Sequence, residues 1–352
     1  MKTTIIIIQL LISSLLVAQT QIGADIDGTA TGNLFGTSTA ISADGNTIAA
    51  GSILNSNANG QSGHVRVFMR IGNTWTIKGS PIIGSFSGDQ SGYSIALSNN
   101  GNIIAIGSRY NGSQGPSSGQ IRVFKWNGSS WAQLGQDING KSVYSDFGSS
   151  VSMNASGTRI VGGGPTYGFS QPNIGYASVF EWNGSSWIKM GADILGDGAS
   201  DQFGKSVSMS DDGNRMVIGG PTNDSIGRNG GHARIYEWNG TVWNQLGGDL
   251  LGNFMNDRFG ESCSISGNGQ VVAVGAYRDS INQFKGYVHA YIFNGSNWIL
   301  KGQAMSGLIS YGSFGKSISL NFDGSRLIIG NPEGSASGLG RFFYFLNGSW
   351  VQ

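Results

Sequence analysis

Cysteine is almost absent from this sequence, and that absence excludes one whole means of stabilisation. Cys263 is the single cysteine among 352 residues, so no internal disulfide can form. It stands where sister stretches of the chain carry Val151, Val207, Ile95 or Ile318. This equivalence indicates a small buried hydrophobe rather than a reactive thiol. The folded chain must therefore be held by packing and hydrogen bonds.

Charge is also scarce. Charged residues make up 12% of the chain, about half the usual share, and the formal net charge is +1. Nothing in this balance attracts a polyanion, so we expect no nucleic-acid partner. The chain has 3 histidines, and His64 and His232 open equivalent strands far apart in the sequence. A histidine metal triad with His289 is therefore not expected.

Long apolar runs are missing except at the N-terminus. Lys2 is followed by an apolar run from Ile5 to Val17, and Ala18 offers a small residue for cleavage. The run is too short for a spanning helix, and the pattern predicts a secretory signal peptide over residues 1–18. We expect the chain to be exported to an extracellular, cell-surface or periplasmic location. After cleavage we expect no direct membrane insertion.

Glycine, in contrast, is abundant and periodic. The chain has 59 glycines, and one of them recurs at steps of 56, 56, 56, 56 and 55 residues. These anchor glycines are Gly36, Gly92, Gly148, Gly204, Gly260 and Gly315. Self-similarity at a fixed period of this size is the signature of a repeat architecture. We therefore expect residues 19–352 to form a single domain of six equivalent units.

Each unit predicts four short strands. A serine follows two residues after the anchor glycine, within an alternation of small and larger apolar residues. Pairs such as Asp44-Gly45 then predict a tight hairpin, and the second strand ends at a second fixed glycine such as Gly51. A third strand, His64–Phe68 in the first unit, precedes an Asn-Gly turn and a fourth strand that opens with tryptophan. The sixth copy of the third strand, Arg341–Phe345, is shorter and fits less well.

Six such units predict an all-β fold, a six-bladed β-propeller with four antiparallel strands per blade. A solenoid is the alternative, but it would need atypical polar caps. The chain stops at Trp350–Gln352, early in a fourth strand, and the phrase Gly23–Gly28 matches the missing remainder, as in Gly191–Gly196. We therefore expect residues 21–26 to lie beside the blade that contains Trp350. The ring would then be closed by the N- and C-terminal segments.

The Phe-Gly pairs that carry five of the anchor glycines, at 35–36, 147–148, 203–204, 259–260 and 314–315, resemble a known motif. With the later Gly163-Gly164-Pro165 and its sister stretches, the chain resembles the FG-GAP repeat family, in the form found in many exported bacterial repeat proteins. The family also includes the propeller of integrin α-chains, which implies extracellular recognition through one face of the disc. Some members bind calcium in the first hairpin, but the matching loops here are too short and carry too few carboxylates. We therefore expect no metal and no cofactor.

No catalytic constellation stands out. The six-fold serine indicates a structural role and suggests no Ser-His-Asp set. Asp89, Asp201 and Asp257 recur three residues before an anchor glycine, and this repetition favours loop capping over a carboxylate pair for glycoside hydrolysis. One tryptophan per unit favours packing between neighbours over a ligand platform. We expect the chain not to be an enzyme.

The segments that differ between units carry the candidate binding residues. The loop between strands two and three and the connection from strand four to the next blade should open on one face, the variable face. Aromatic residues and arginine dominate interface energetics. The candidates on these segments are Arg109, Tyr110, Tyr144, Tyr167, Phe169, Asn223, Asp224, Arg228, Tyr277, Arg278, Asp279 and Tyr311, with Phe254 and Phe284 beside them. The alternative is that these are drifting surface loops without a ligand.

Three functions remain open at this stage. The first is an exported, non-catalytic binding or scaffold module, monomeric on its own, that recognises a protein or glycan at the cell surface or in the envelope. The second is an accessory cap subunit of a cell-envelope secretion or surface complex. The third is a polysaccharide hydrolase or lyase with its site at the channel mouth. A residue out of register at one channel mouth would favour the enzyme, and co-purification with an envelope complex would favour the cap.

Overall fold

The computed structural model describes residues 21–55, 60–167, 173–278, 284–333 and 338–352. Over these ranges the chain forms six antiparallel sheets and no helix. Accordingly, the described part of the chain contains no helix with the length and apolarity to cross a membrane. The predicted signal peptide, 1–18, and the candidates Phe169 and Asp279 lie outside the described residues.

The first three sheets, blades 1 to 3, follow one another along the chain. Blade 1 consists of β1 (Phe35–Ile41), β2 (Thr47–Ser52), β3 (His64–Ile71), β4 (Thr74–Ile77) and β5 (Ile82–Ile83). Blade 2 consists of β6 (Ser91–Leu97), β7 (Ile103–Ser108), β8 (Gln120–Trp126), β9 (Trp131–Gln133) and β10 (Ile138–Asn139). Blade 3 consists of β11 (Ser150–Met153), β12 (Arg159–Gly164), β13 (Tyr176–Trp182), β14 (Trp187–Lys189) and β15 (Ile194–Leu195).

Blades 4 to 6 repeat the same order. Blade 4 consists of β16 (Ser206–Met209), β17 (Arg215–Gly220), β18 (His232–Trp238), β19 (Trp243–Gln245) and β20 (Leu250–Leu251). Blade 5 consists of β21 (Phe259–Ile265), β22 (Val271–Ala276), β23 (Tyr287–Phe293), β24 (Trp298–Leu300) and β25 (Met305–Ser306). Blade 6 consists of β26 (Ser317–Leu320), β27 (Arg326–Asn331), β28 (Leu339–Leu346) and β29 (Ser349–Val351).

Each blade is an antiparallel meander, and the innermost strands of successive blades contact one another around the ring. The predicted six-bladed β-propeller is confirmed, with two changes in detail. In blades 1 to 5 the outer strand is interrupted, so that β14 and β15 both pair with β13. The break falls at a glycine with left-handed backbone, Gly191 at φ 74° in blade 3. The third strand of blade 6 extends over Leu339–Leu346, beyond the predicted Arg341–Phe345.

The first hairpin closes as predicted. Gly45 has φ 69°, a backbone conformation that glycine accepts without a steric penalty. The Asp44 carboxylate accepts hydrogen bonds from Ser42 Oγ at 2.6 Å and from the Asn46 N–H at 2.9 Å. These bonds, the one from Ser42 first, lower the pKa of Asp44 to about 2. The carboxylate that a calcium loop would use therefore caps its own turn.

The core lies between blades, where apolar side chains of adjacent sheets meet. The phenylalanines of the Phe-Gly pairs are at most 1% exposed in four copies, Phe147, Phe203, Phe259 and Phe314. Phe147, for example, stacks on Tyr176 with ring centroids 5.7 Å apart. Cys263 belongs to the same layer, and burial raises the pKa of its thiol to about 12. Its predicted role as a small buried hydrophobe is confirmed.

The repeated serine joins neighbouring blades. Its hydroxyl donates to the carbonyl of the next blade's anchor glycine at 2.6 to 2.8 Å. The pairs are Ser38–Gly92, Ser94–Gly148, Ser150–Gly204, Ser206–Gly260 and Ser262–Gly315. The second fixed glycine lies against that same carbonyl, where a Cβ atom would fall inside 3.0 Å. The repeated spacing of the anchor glycine, the serine and the second fixed glycine is thus explained by one contact between neighbouring blades.

The tryptophan of each unit makes a second inter-blade contact. Its indole N–H donates to a carbonyl of the preceding blade at 2.7 to 3.0 Å. The ring also covers the glycine at the break in that blade's outer strand, as Trp131 covers Gly79. The prediction that the tryptophans pack between neighbours is confirmed.

The junction of blade 6 with blade 1, the seam, differs from the other five. The Trp75 indole donates to Ile22 O at 3.0 Å, and Arg66 donates to Asp27 O. These contacts place residues 22–27 against blade 1, whereas the prediction was that residues 21–26 lie beside the blade that contains Trp350. Pairing of this segment with β28 is not found in the described residues, nor is a Ser317–Gly36 hydrogen bond. A cleft of about 890 Å³ opens beside this junction, and residues of blades 1, 2, 3 and 6 line it, among them Thr39, Leu97, Met153 and Ser319.

Candidate functional site

The variable segments meet on one face, as predicted. The connection that precedes each anchor glycine contacts the strand 2–3 loop of the next blade. Thr166 Oγ1 donates to Tyr144 O at 2.7 Å, and the Arg278 N–H donates to Asp257 O at 3.3 Å. Since every blade contributes both segments, the face is a ring of loop pairs, one at each junction.

The recurring aspartates shape these loops. Asp89 Oδ2 accepts from the Phe86 N–H at 2.8 Å, Asp201 Oδ2 from the Gly198 N–H at 2.8 Å, and Asp257 Oδ2 from the Phe254 N–H at 2.9 Å. All three are at most 2% exposed, and burial raises the pKa of Asp89. Loop capping, the predicted role, is confirmed. These buried carboxylates therefore accept hydrogen bonds within the loops that they cap.

Arg109 organises the junction of blades 1 and 2. Its guanidinium donates to Tyr93 Oη at 2.8 Å, to Tyr110 Oη at 2.6 Å and to Gln90 Oε1 at 3.0 Å. The structure therefore brings Arg109 and Tyr110 together. A cleft of about 440 Å³ lies beside them, lined in part by Phe86, which is 59% exposed. Sequence reasoning missed Phe86 because it is a single aromatic residue in a glycine-rich connection.

At the junction of blades 2 and 3 the two tyrosines differ. Tyr144 is exposed, whereas Tyr167 packs edge-on against Tyr176 with centroids 5.1 Å apart. The Lys141 ammonium lies 4.4 Å from the centroid of Tyr167 and pairs with Asp193 at 3.3 Å. Tyr167 therefore contributes to packing as well as to the surface.

The candidates of blade 4 need one correction. Asn223 is buried, its amide donates to Asp201 Oδ2 at 2.9 Å, and its Oδ1 accepts from the Ser225 N–H. It therefore holds the loop and is not part of the exposed surface. Asp224 Oδ1 accepts from the Asn229 N–H at 2.7 Å, which also stabilises the loop. Arg228 is exposed.

The largest cluster of candidates lies between blades 5 and 6. A cleft of about 320 Å³, the 5–6 cleft, is lined by Tyr277, Arg278, Phe284, Tyr311, Ser313 and Glu333. The rings of Phe284 and Tyr311 stack with centroids 5.5 Å apart and planes 27° apart. Tyr311 is 66% exposed. Three of the predicted residues, Tyr277, Arg278 and Tyr311, are thus brought together.

Three cations surround Tyr277 at the edge of this cleft. The Lys316 ammonium lies 4.1 Å from the ring centroid, the Arg278 guanidinium 5.5 Å and the Arg258 guanidinium 6.0 Å. Sequence reasoning missed Arg258 and Lys316 because both occupy fixed positions of the repeat, beside the anchor glycine. Their signal is a change of residue type at a repeated position, since sister copies of Arg258 are Gln90 and Gln202.

Backbone conformation sets the aromatic residues apart. The position four residues before the anchor glycine has positive φ in all six copies, and it is Tyr144 at 55° and Tyr311 at 59° in two of them. Phe284, in a strand 2–3 loop, has φ 57°. A bulky side chain in this region costs about 1–3 kcal/mol, and such strain is found mainly at functional sites. The loops therefore hold these rings on the variable face at the expense of backbone strain.

The opposite face is closed by the short hairpins. Backbone hydrogen bonds link successive hairpins, for example from the Ala43 N–H to Asn99 O at 3.0 Å. Asn99 Nδ2 also donates to Asp211 Oδ2 at 3.1 Å, which joins blade 2 to blade 4 across the channel end. The three histidines lie in different blades, and no group of three or more His, Cys, Asp or Glu residues in the described ranges could hold a metal ion.

Comparison with known proteins agrees with this architecture. The model of the FG-GAP repeat matches residues 196–236, and a search of curated proteins gives no significant match. A putative 6-phosphogluconolactonase from Bacteroides uniformis is similar in structure, with TM-score 0.60 and 10% identity over 90% of this chain and 83% of that chain. Hydrazine synthase from Kuenenia stuttgartiensis is similar with TM-score 0.57 and 11% identity over 92% and 80%. At such identities the likeness concerns the fold only. The chain is thus a six-bladed β-propeller with an FG-GAP repeat match at residues 196–236.

Proposed function

We propose that this protein is an exported, non-catalytic binding or scaffold propeller that recognises a protein or glycan through its variable face. One observation carries the proposal. Exposed aromatic and basic side chains collect in the loops that differ between blades, and several are held there by strained backbone. Residues of these types supply most of the energy of recognition surfaces.

The repeated polar residues support the same conclusion, because they are engaged in structural hydrogen bonds. The serines bond to anchor glycines of the next blade, and the aspartates cap loops. A hydrolase would need two accessible carboxylates about 5–10 Å apart. The buried, hydrogen-bonded Asp89, Asp201 and Asp257 do not favour that reading. An accessory cap subunit of an envelope complex would use the same face. The identity of the captured partner distinguishes this alternative from the leading proposal.

Export is the second part of the proposal. FG-GAP repeats typically occur in exported proteins, which agrees with the pattern of residues 1–18. N-terminal sequencing of the protein purified from the extracytoplasmic fraction should find a start near Gln21. An intact Met1 in protein confined to the cytoplasm would contradict export.

The test of binding is capture from native envelope and secreted fractions. Tyr110, Arg278 and Tyr311 are all exposed, so their combined substitution by alanine should leave the thermal melt unchanged and abolish capture. Tyr167 is left intact because it packs on Tyr176. The matched control is Asp212→Asn on the hairpin face. If Asp212→Asn lost the captured partner and the triple variant kept it, the binding face would be the wrong one.

A further inference from the structure

We propose that the 5–6 cleft binds an acidic saccharide, a sugar ring that carries a carboxylate. The proposal rests on the binding function proposed above and names the ligand class for one part of the variable face. It depends on three features at the cleft: cations without an acidic partner among the described residues, stacked aromatic rings of which Tyr311 is exposed, and polar groups suited to hydroxyls.

The cations at the 5–6 cleft favour an anionic ligand. Some arginines on strands have acidic partners, as Arg159 has Glu181 at 2.7 Å and Arg215 has Glu237 at 2.8 Å. Lys316 is likewise paired with Glu261 at 2.6 Å. Arg258 and Arg278 have no acidic partner among the described residues, although both guanidinium groups lie beside the ring of Tyr277. Guanidinium groups bind carboxylates in a bidentate geometry, so Arg278, which lines the cleft, is suited to hold one, and Arg258 lies near the same tyrosine.

The aromatic rings at the 5–6 cleft favour a ligand with an apolar face. Phe284 and Tyr311 stack on each other in left-handed backbone, and Tyr311 remains 66% exposed. Four of the five sister copies of Tyr311 are small or polar, namely Gly32, Gly88, Ser200 and Asn256, and Tyr144 is the fifth. The hydrophobic core therefore does not explain why an aromatic residue stands here. An exposed ring face complements the C–H face of a pyranose.

The remaining polar groups suit hydroxyls. Ser313 Oγ donates to Glu333 Oε2 at the wall of the cleft. A carboxylate in this place accepts hydrogen bonds from sugar hydroxyls. An extended peptide, in contrast, would need a free strand edge for main-chain pairing. The strands that end at the cleft, β22 and β27, are each paired on both sides.

Calorimetric titration of the purified full chain tests the proposal. The probes are uronic-acid oligosaccharides from polygalacturonate, alginate and hyaluronan, with neutral maltotriose and a hexaglutamate peptide for comparison. At least one acidic oligosaccharide should bind, with affinity that falls as salt rises, and maltotriose should bind at least about tenfold more weakly. Tyr311→Ala and Arg278→Gln should each weaken that binding by about tenfold or more.

Two variants serve as matched controls. Tyr144→Ala removes the tyrosine at the equivalent left-handed position of another junction, and Arg228→Gln removes an exposed arginine of blade 4. Neither should change the affinity. Absence of binding to every acidic oligosaccharide, equal binding of maltotriose, tighter binding of hexaglutamate, or equal loss in the controls would each overturn the assignment. If capture from the envelope still depended on the variable face, the binding function would stand while this ligand class failed.

Discussion

The second fixed glycine of each unit offers a direct test of how the blades are held together. At Gly163 an added Cβ would lie well inside 3.0 Å of Gly204 O, which is backbone of the next blade and cannot rotate away. It would also displace Ser150 Oγ, which donates to that carbonyl at 2.8 Å. The backbone φ of Gly163 is not positive, so the effect of Gly163→Ala is steric. Overpacking costs about 1–3 kcal/mol and a lost hydrogen bond about 1 kcal/mol, which together predict a destabilisation of about 2–4 kcal/mol.

Gly330→Ala is the matched control. It occupies the same position of the repeat in blade 6, but the nearest atom to its added Cβ is Ser317 Oγ, the end of a side chain that can turn to solvent. The variant should be neutral within about 1 kcal/mol, since alanine also reduces the entropy of the unfolded chain. Equilibrium unfolding in urea, with the slope checked for two-state behaviour, measures both. A cost below about 1 kcal/mol for Gly163→Ala would refute the inter-blade contact, and an equal cost for Gly330→Ala would mean that the seam packs like the other junctions.

Three further outcomes are expected. Burial lowers the pKa of His289 from its usual 6.5, so the folded state binds fewer protons than the unfolded chain, and stability should fall as pH drops below about 6.5. Between pH 7.5 and 5.5 the melting temperature should therefore fall less for His289→Ser than for the unchanged protein. An equal fall in both would contradict the role given to His289. In blade 3, Ile194 pairs with Ala177, and the repeat makes Ile26 and Gly340 the equivalent positions of the seam. If the seam closes in this way, Ile26→Cys combined with Gly340→Cys should form a disulfide. Free thiols after oxidation would indicate an open ring. Chelator should leave the melt unchanged, and a fall of many degrees that calcium restores would disprove metal independence.

The fold could be predicted because the same information is written six times. A single copy of Ser206–Met209 is too short to identify as a strand, but six copies in phase fix both its bounds and its partner. The inter-blade contacts could not be predicted, since the sequence does not show which carbonyl the repeated serine and the second fixed glycine contact. The interruption of the outer strand also escaped notice, because Gly191 reads as an ordinary turn residue until its φ is known.

The candidate site was predicted less completely, and for a physical reason. Variable loops were identified correctly, but sequence does not show whether a loop residue faces solvent or the loop interior, and Asn223 faces the interior. Arg258 and Lys316 were overlooked because they belong to positions that all copies share, where only the residue type differs. Residues at such positions reach the variable face because the inner strand begins there.

The inter-blade contacts repeat with the same polarity at the five junctions between blades 1 and 6, which bears on how the chain arose. Each of blades 1 to 5 donates a serine hydroxyl to the blade that follows and accepts an indole N–H from it. Each side of such a blade therefore carries one donor and one acceptor, of different kinds on the two sides, and any two copies are complementary in head-to-tail order. Gene duplication of one unit of 56 residues would supply both sides of the new junctions at once. The number of blades is then limited by the rotation that closes the circle, and an added unit would bring a fresh pair of loops that could diverge without disturbing its neighbours.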